Sequence, residues 1–146
     1  MDLKDLQAQL EARRAATKAK VDQKNEAREA LRIQREIDFE DAKQAALDKY
    51  LPVQLLEADV AGVGPCLWHW PDEITYDHFM KTSGAIKGDL SNMSIDKTEN
   101  LLSRCAVFPD PAEMLVQLRK NNPHARTVIA QRLLQQMKGR LEEEGK

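Results

Sequence analysis

Leu51-Pro52-Val53-Gln54-Leu55-Leu56-Glu57-Ala58-Asp59-Val60-Ala61-Gly62-Val63-Gly64-Pro65-Cys66-Leu67-Trp68-His69-Trp70-Pro71 is the stretch that turns this chain from a helix into something else. Pro52 cannot continue a helix interior and pushes Leu51 towards extended geometry. Leu56, Ala58 and Val60 then alternate with Glu57 and Asp59, the pattern of a half-buried strand. Residues 61–65 carry two glycines and a proline, which is turn chemistry. Cys66 to Trp70 reads as a second strand, stopped by Pro71. Cys66, Trp68 and Trp70 share one of its faces, and Leu67 and His69 the other. The pair forms a hairpin, and since a lone hairpin is marginal in water, helices must cover it.

Upstream, from Asp2 to about Tyr50, there is neither proline nor glycine. Alanine, glutamate, glutamine, lysine, arginine and leucine dominate, and these lose little side-chain freedom in a helix. Leu3, Leu6 and Leu10 begin an apolar seam. The same frame then meets Arg13, Thr17, Lys20 and Lys24, and apolar spacing returns in a shifted frame at Ala27, Ala30, Leu31, Ile33 and Ile37. A dimeric coiled coil keeps its seam apolar over successive heptads, so the expectation is a helix packed at its ends and solvated between. A weak, stuttered oligomeric coil is the second option. Arg13, Arg14, Lys18, Lys20 and Lys24 make an early basic stretch, and Glu36, Asp38, Glu40 and Asp41 a later acidic one. They read first as a solvated face, second as a means of partner pairing.

Downstream, Thr75 is expected to cap a short helix to Met80 or Lys81 that buries Tyr76, Phe79 and Met80. A mobile, glycine-containing loop is expected from Thr82 to Asp89. Ser91 or Ser94 should start a helix to about Cys105, with Leu101, Leu102 and Cys105 inward. Asp110-Pro111-Ala112-Glu113 has an N-cap, a proline at the first helical position and a capping-box glutamate. Asn122 and Pro123 repeat the cap and opening for a last helix to Lys138. Its stripe is Ala125, Val128, Ile129, Leu133, Leu134 and Met137, and Gly139 bends or ends it. The predicted fold is α+β, mostly α: a long N-terminal helix, then a β-hairpin packed against about four short helices. The predicted divisions are a charged helix over 1–50, a compact domain over 51–139 and a frayed polar tail over 140–146.

The bulk numbers narrow the function. The 146 residues carry a formal net charge of −2, with 32% charged and 5% aromatic residues and a mean hydropathy of −0.59. A globally basic nucleic-acid binder is not indicated, and the early basic stretch lacks the interleaved aromatics that stack on bases. No segment is apolar enough to cross a membrane, and no apolar leader begins the chain, so a soluble cytoplasmic protein is expected. Cys66 and Cys105 sit in apolar contexts and read as small buried hydrophobes. Cys66-x-x-His69 is half a zinc motif without a paired second half. Cys105 with His78 or His124 is a nucleophile pair only if geometry joins them. No phosphate-cradling loop or acid–base pair stands out, so no catalytic residue, metal or cofactor is expected. At least one of Trp68 and Trp70 belongs in the core. The candidate partner-binding surface is Trp68, Trp70 and Phe79 with Ile129, Leu133 and Met137.

Residues 50–139 resemble the tail assembly chaperones of long-tailed bacteriophages and related prophages. The resemblance rests on Trp68-His69-Trp70-Pro71 at the end of a hairpin and on Thr75-Tyr76-Asp77-His78-Phe79. It continues in Leu101-Leu102-Ser103-Arg104-Cys105-Ala106-Val107-Phe108-Pro109-Asp110 and in a closing helix pair separated by Pro123. It implies a non-enzyme that binds the tape measure protein or another tail protein through apolar surface in the host cytoplasm. Several copies would sit along one client with modest affinity per site. The long N-terminal helix also admits a structural virion or tail component that uses it as an assembly arm.

Overall fold

A computed structural model describes residues 2–84 and 93–144. Helix α1 spans Leu3–Leu47, and a single 3-10 turn, Pro52–Gln54, leads into strand β1, Leu55–Val60. Strand β2, Gly64–His69, and helix α2, Glu73–Thr82, follow. The remainder is helix α3, Ile95–Cys105, strand β3, Ala106–Phe108, helix α4, Pro111–Asn121, and helix α5, Ala125–Glu144. The mostly helical α+β class is as expected. The chain divides into two compact units, Met1–Asp38 and Phe39–Lys146. That division lies inside α1 rather than at residue 50. The reason is Phe39 and Ala46: two turns apart on one helix face, both are buried in the second unit.

In the first unit the helix is exposed throughout except at the half-buried Arg35. Its local support comes from pairs three or four residues apart, which are neighbours on a helix surface. Arg32 is hydrogen-bonded to Glu29 and to Glu36, and Gln34 donates to Asp38.

The second unit is built round β2. It pairs antiparallel with β1, from Leu55 opposite His69 to Val60 opposite Gly64, and on its other side with β3. The sheet therefore has three strands, not the two of a hairpin. Three residues between two helix ends are too few to show an alternating pattern. Both faces of β2 are covered, which is why Cys66, Leu67 and Trp68 are all fully buried; a strand buried on both sides reads as a continuous apolar run. On one face Leu56, Val60, Cys66 and Trp68 join the main core with Leu101, Leu102 and Cys105 of α3, Met114 and Leu118 of α4, and Ile129, Leu133 and Leu134 of α5. On the other, Leu67 packs with Phe39 and Ala46, flanked by Tyr50, Leu55, Val107 and Phe108. Phe39 meets Phe108 edge to face, with ring centroids 5.8 Å apart.

The turn between β1 and β2 is held against the end of α4. Gly62 has φ +83°, and a Cβ there would lie 3.2 Å from both the Cβ and the carbonyl oxygen of Asn121. Only glycine meets both demands without strain. Asn122 donates from its side chain to the Ala61 carbonyl at 3.1 Å, so the same corner is tied by a hydrogen bond.

The helix starts are partly as expected. Asp110 caps α4, accepting from the N–H groups of Ala112 and Glu113, with Pro111 opening the helix. Helix α3 follows Ser94. The cap of α2 is Asp72 rather than Thr75, and the Thr75 N–H donates to its carboxylate at 2.7 Å. Asn122 accepts from the Ala125 N–H, but α5 begins at Ala125, two residues beyond Pro123. The expected stop near Lys138 is overturned: α5 continues to Glu144, so residues 140–144 are helical rather than a frayed tail. An added Cβ at Gly139 would meet nothing within 4 Å, and the glycine sits inside the helix without a turn. Val128, placed on the apolar stripe by spacing, is exposed. Of the loop expected from Thr82 to Asp89, residues 85–89 lie outside the described residues, as does Ser91.

Candidate functional site

The six residues chosen from sequence as a partner surface do not form one. Trp68, Trp70, Phe79, Ile129, Leu133 and Met137 all belong to the main core, and the most exposed of them, Trp70, is only 9% accessible. The physical reason is coverage: three helices pack on the sheet face that carries Trp68, and the apolar stripe of α5 is spent on that packing. The Trp70 indole N–H donates to the Gln136 side chain at 2.9 Å, which ties the end of the hairpin to α5.

The residues weighed for chemistry are also dispersed. Cys66 and Cys105 are not joined in a disulfide, and both are fully buried. Burial pushes the Cys105 thiol up to about 12, so it stays protonated and is a poor nucleophile. The Cys66 thiol donates to the Gly64 carbonyl at 3.5 Å. The His69 ring stacks on Tyr50 with centroids 4.6 Å apart, and its Nδ1–H donates to the Trp70 carbonyl at 2.7 Å. His78 is exposed on α2. No group of three or more His, Cys, Asp or Glu suited to a metal occurs among the described residues.

What the second unit does offer is a groove between α2 and α3. Ile74, His78 and Thr82, spaced four apart, line one wall with Thr75 and Phe79, and Lys97, Asn100, Leu101 and Arg104 line the other. Its volume is about 290 Å³. The floor is apolar, from the buried Phe79 and Leu101, and Ile74 at the mouth is 83% exposed. The rim is polar and cationic. Arg104 donates to the Asn100 side chain at 3.3 Å, and among the described residues no carboxylate lines the groove. Asp72 lies close enough for Arg104 to help lower its pKa, although the Thr75 N–H bonded to it is the larger cause. A shallow recess of about 420 Å³ lies between the end of α1 and β3, lined by Ala42, Ala45, Ala46, Lys49, Tyr50, His69, Ala106 and Val107.

Behind the groove sits an ion cluster that the sequence reading missed. Glu99 of α3 accepts two hydrogen bonds from Arg119 of α4, each 2.7 Å, and one from Arg126 of α5, also 2.7 Å. Arg119's hydrogen bonds lead in holding the Glu99 carboxyl down to about 2, against the opposing effect of burial. A signal was present: Glu99 interrupts the inward stripe of Thr98, Leu101, Leu102 and Cys105, and a charge on such a stripe needs partners. The cluster clamps the three helices and so fixes the α3 wall of the groove.

No helix among the described residues is long and apolar enough to cross a membrane. The chain matches no protein-family model, no curated protein and no solved structure.

Proposed function

We propose that this protein is a non-enzymatic, tail-assembly-chaperone-like binder that holds a long helical client, the tape measure protein, during phage tail assembly in the host cytoplasm. The observation that carries the proposal is the α2–α3 groove, with an apolar floor, the exposed Ile74 at its mouth and a rim of His78, Lys97 and Arg104. Such a groove fits an amphipathic helix whose apolar anchors enter between α2 and α3 while acidic neighbours meet the rim. Its small size favours modest affinity per site, which suits a client that must later be released. The sequence resemblance over residues 50–139 supplies the identity of the client.

The test is titration of tape-measure segments into the purified protein by calorimetry. Ile74→Asp combined with Arg104→Glu is expected to weaken binding at least tenfold and to leave the melting temperature within a few degrees, because both side chains lie at the groove's open side. Failure of every segment to bind overturns the proposal. The 45-residue helix α1 favours a second reading, an assembly arm of a structural virion component. Mass spectrometry of finished particles separates the two: stoichiometric presence supports the structural component and sinks the chaperone.

A further inference from the structure

Helix α1 within the first unit sorts its charges around its circumference. At about 100° per residue, Arg13, Arg14, Lys20, Lys24, Arg28 and Arg32 fall within an arc of roughly 120°. Glu11, Asp22, Glu26, Glu29 and Glu36 fall within a separate arc of roughly 80°. Lys4 and Asp5 in the first turn stand outside the pattern, Asp38 lies at the edge of the basic arc, and Lys18 on the border of the acidic one. The exposed apolar side chains are sorted as well. Leu3, Leu6, Leu10, Val21 and Leu31 lie in the basic arc and are 49–72% exposed. Ile33 and Ile37, 45% and 48% exposed, lie in or beside the acidic arc, together with the small side chains of Ala8, Ala15 and Ala19. Both arcs therefore combine charge with apolar surface, six named bases on one against five acids on the other.

We infer that the occupant of these faces is a second copy of this chain, with the basic stripe of one α1 laid on the acidic stripe of the next. Charge complementarity selects this partner, because each stripe finds its opposite, with matching length, on the same helix. Apolar contacts come with it: leucines from one face meet isoleucines and alanines from the other, and the alanines allow close approach. The sorting also sets the symmetry. A two-fold dimer centred on either stripe brings like charge to like charge, and with the stripe centres roughly 140° apart a seam midway between them leaves both stripes at its margins. Stripes that differ around the circumference instead give a heterologous contact that leaves one unmatched stripe at each end and recruits further copies. The assembly is thus larger than a dimer and weakens with salt, since the charges involved are exposed.

The experiment uses full-length protein in sedimentation velocity at about 100 µM, with salt at about 50 and 500 mM. Wild type is expected as oligomers above the dimer at low salt, with association at least tenfold weaker at high salt. One variant carries Lys20→Glu, Lys24→Glu and Arg28→Glu, and another carries Asp22→Lys, Glu26→Lys and Glu29→Lys. Each alone is expected to be a monomer, and mixing the two restores association, because the centre of both stripes is then acidic in one variant and basic in the other. Should either reversal melt the helix by circular dichroism, Lys20→Gln, Lys24→Gln and Arg28→Gln replaces it and is expected to weaken association at least tenfold. The inference is overturned by a monomeric wild type at low salt, by variants that associate as wild type does, or by a mixture that stays monomeric. Tight binding of a random-sequence RNA duplex by a wild type that remains monomeric also overturns it, and assigns the basic stripe to a polyanion.

Discussion

Glu99 shows how much one side chain can hold together. Its two oxygens accept from arginines on two other helices, and the side chain is only 10% exposed. Replacing it with glutamine removes the charge and leaves Arg126, itself mostly buried, without a counterion. Glu99→Gln is therefore expected to lower unfolding free energy by roughly 2 kcal/mol in urea titration. The pH dependence has a definite sign. The Glu99 pKa is about 2 in the fold against 4.5 as the ordinary value, so its stabilisation is complete above the unfolded value and is lost as pH falls towards about 2. Unfolding free energy measured across that window should fall more steeply for wild type than for the glutamine variant. Trp68 is a contrasting residue: its ring is fully buried, yet its indole N–H has no acceptor among the described residues. The unmade bond costs about 1–3 kcal/mol, and burying so large a ring offsets it.

At the scale of the element, legibility followed the strength of local chemistry. The start of α4 was readable because Asp110 and Pro111 act within a single turn, and Asp110→Ala is expected to cost about 1 kcal/mol in thermal unfolding by freeing the Ala112 and Glu113 N–H groups. The cap of α2 was misplaced because Asp72 and Thr75 are both capping types three residues apart, and only geometry decides that Thr75 donates its N–H instead of opening the helix. Strand β3 was missed because its existence depends on Trp68 and Leu67 offering a free edge, a long-range fact with no local trace. The same cause misdirected the choice of site. Trp68, Trp70 and Phe79 were recognised as anchors, but burial under α3, α4 and α5 is a property of the packed whole. The groove that replaced them is set by Ile74, His78, Lys97 and Arg104, an ordinary-looking set on two short helices until those helices face each other.

For the whole molecule, the sequence placed the break in organisation near Pro52, where the backbone must change. The contacts place it at Asp38/Phe39, inside a continuous helix, because Phe39 and Ala46 join the second sheet face while the preceding described residues, the half-buried Arg35 apart, are exposed. Local backbone signals and burial answer different questions, and here they differ by about three turns of helix. The second unit's main core has a further consequence through its two cysteines. Both residues are fully buried in the same packed layer, Cys66 on β2 and Cys105 at the end of α3. An alkylating reagent can reach them only when that layer comes apart, so labelling followed by mass spectrometry becomes a clock for cooperative opening. Native protein should label at both positions with one shared rate, slower by orders of magnitude than in denaturant, and fast capture of one thiol alone would mean that the layer opens piecemeal.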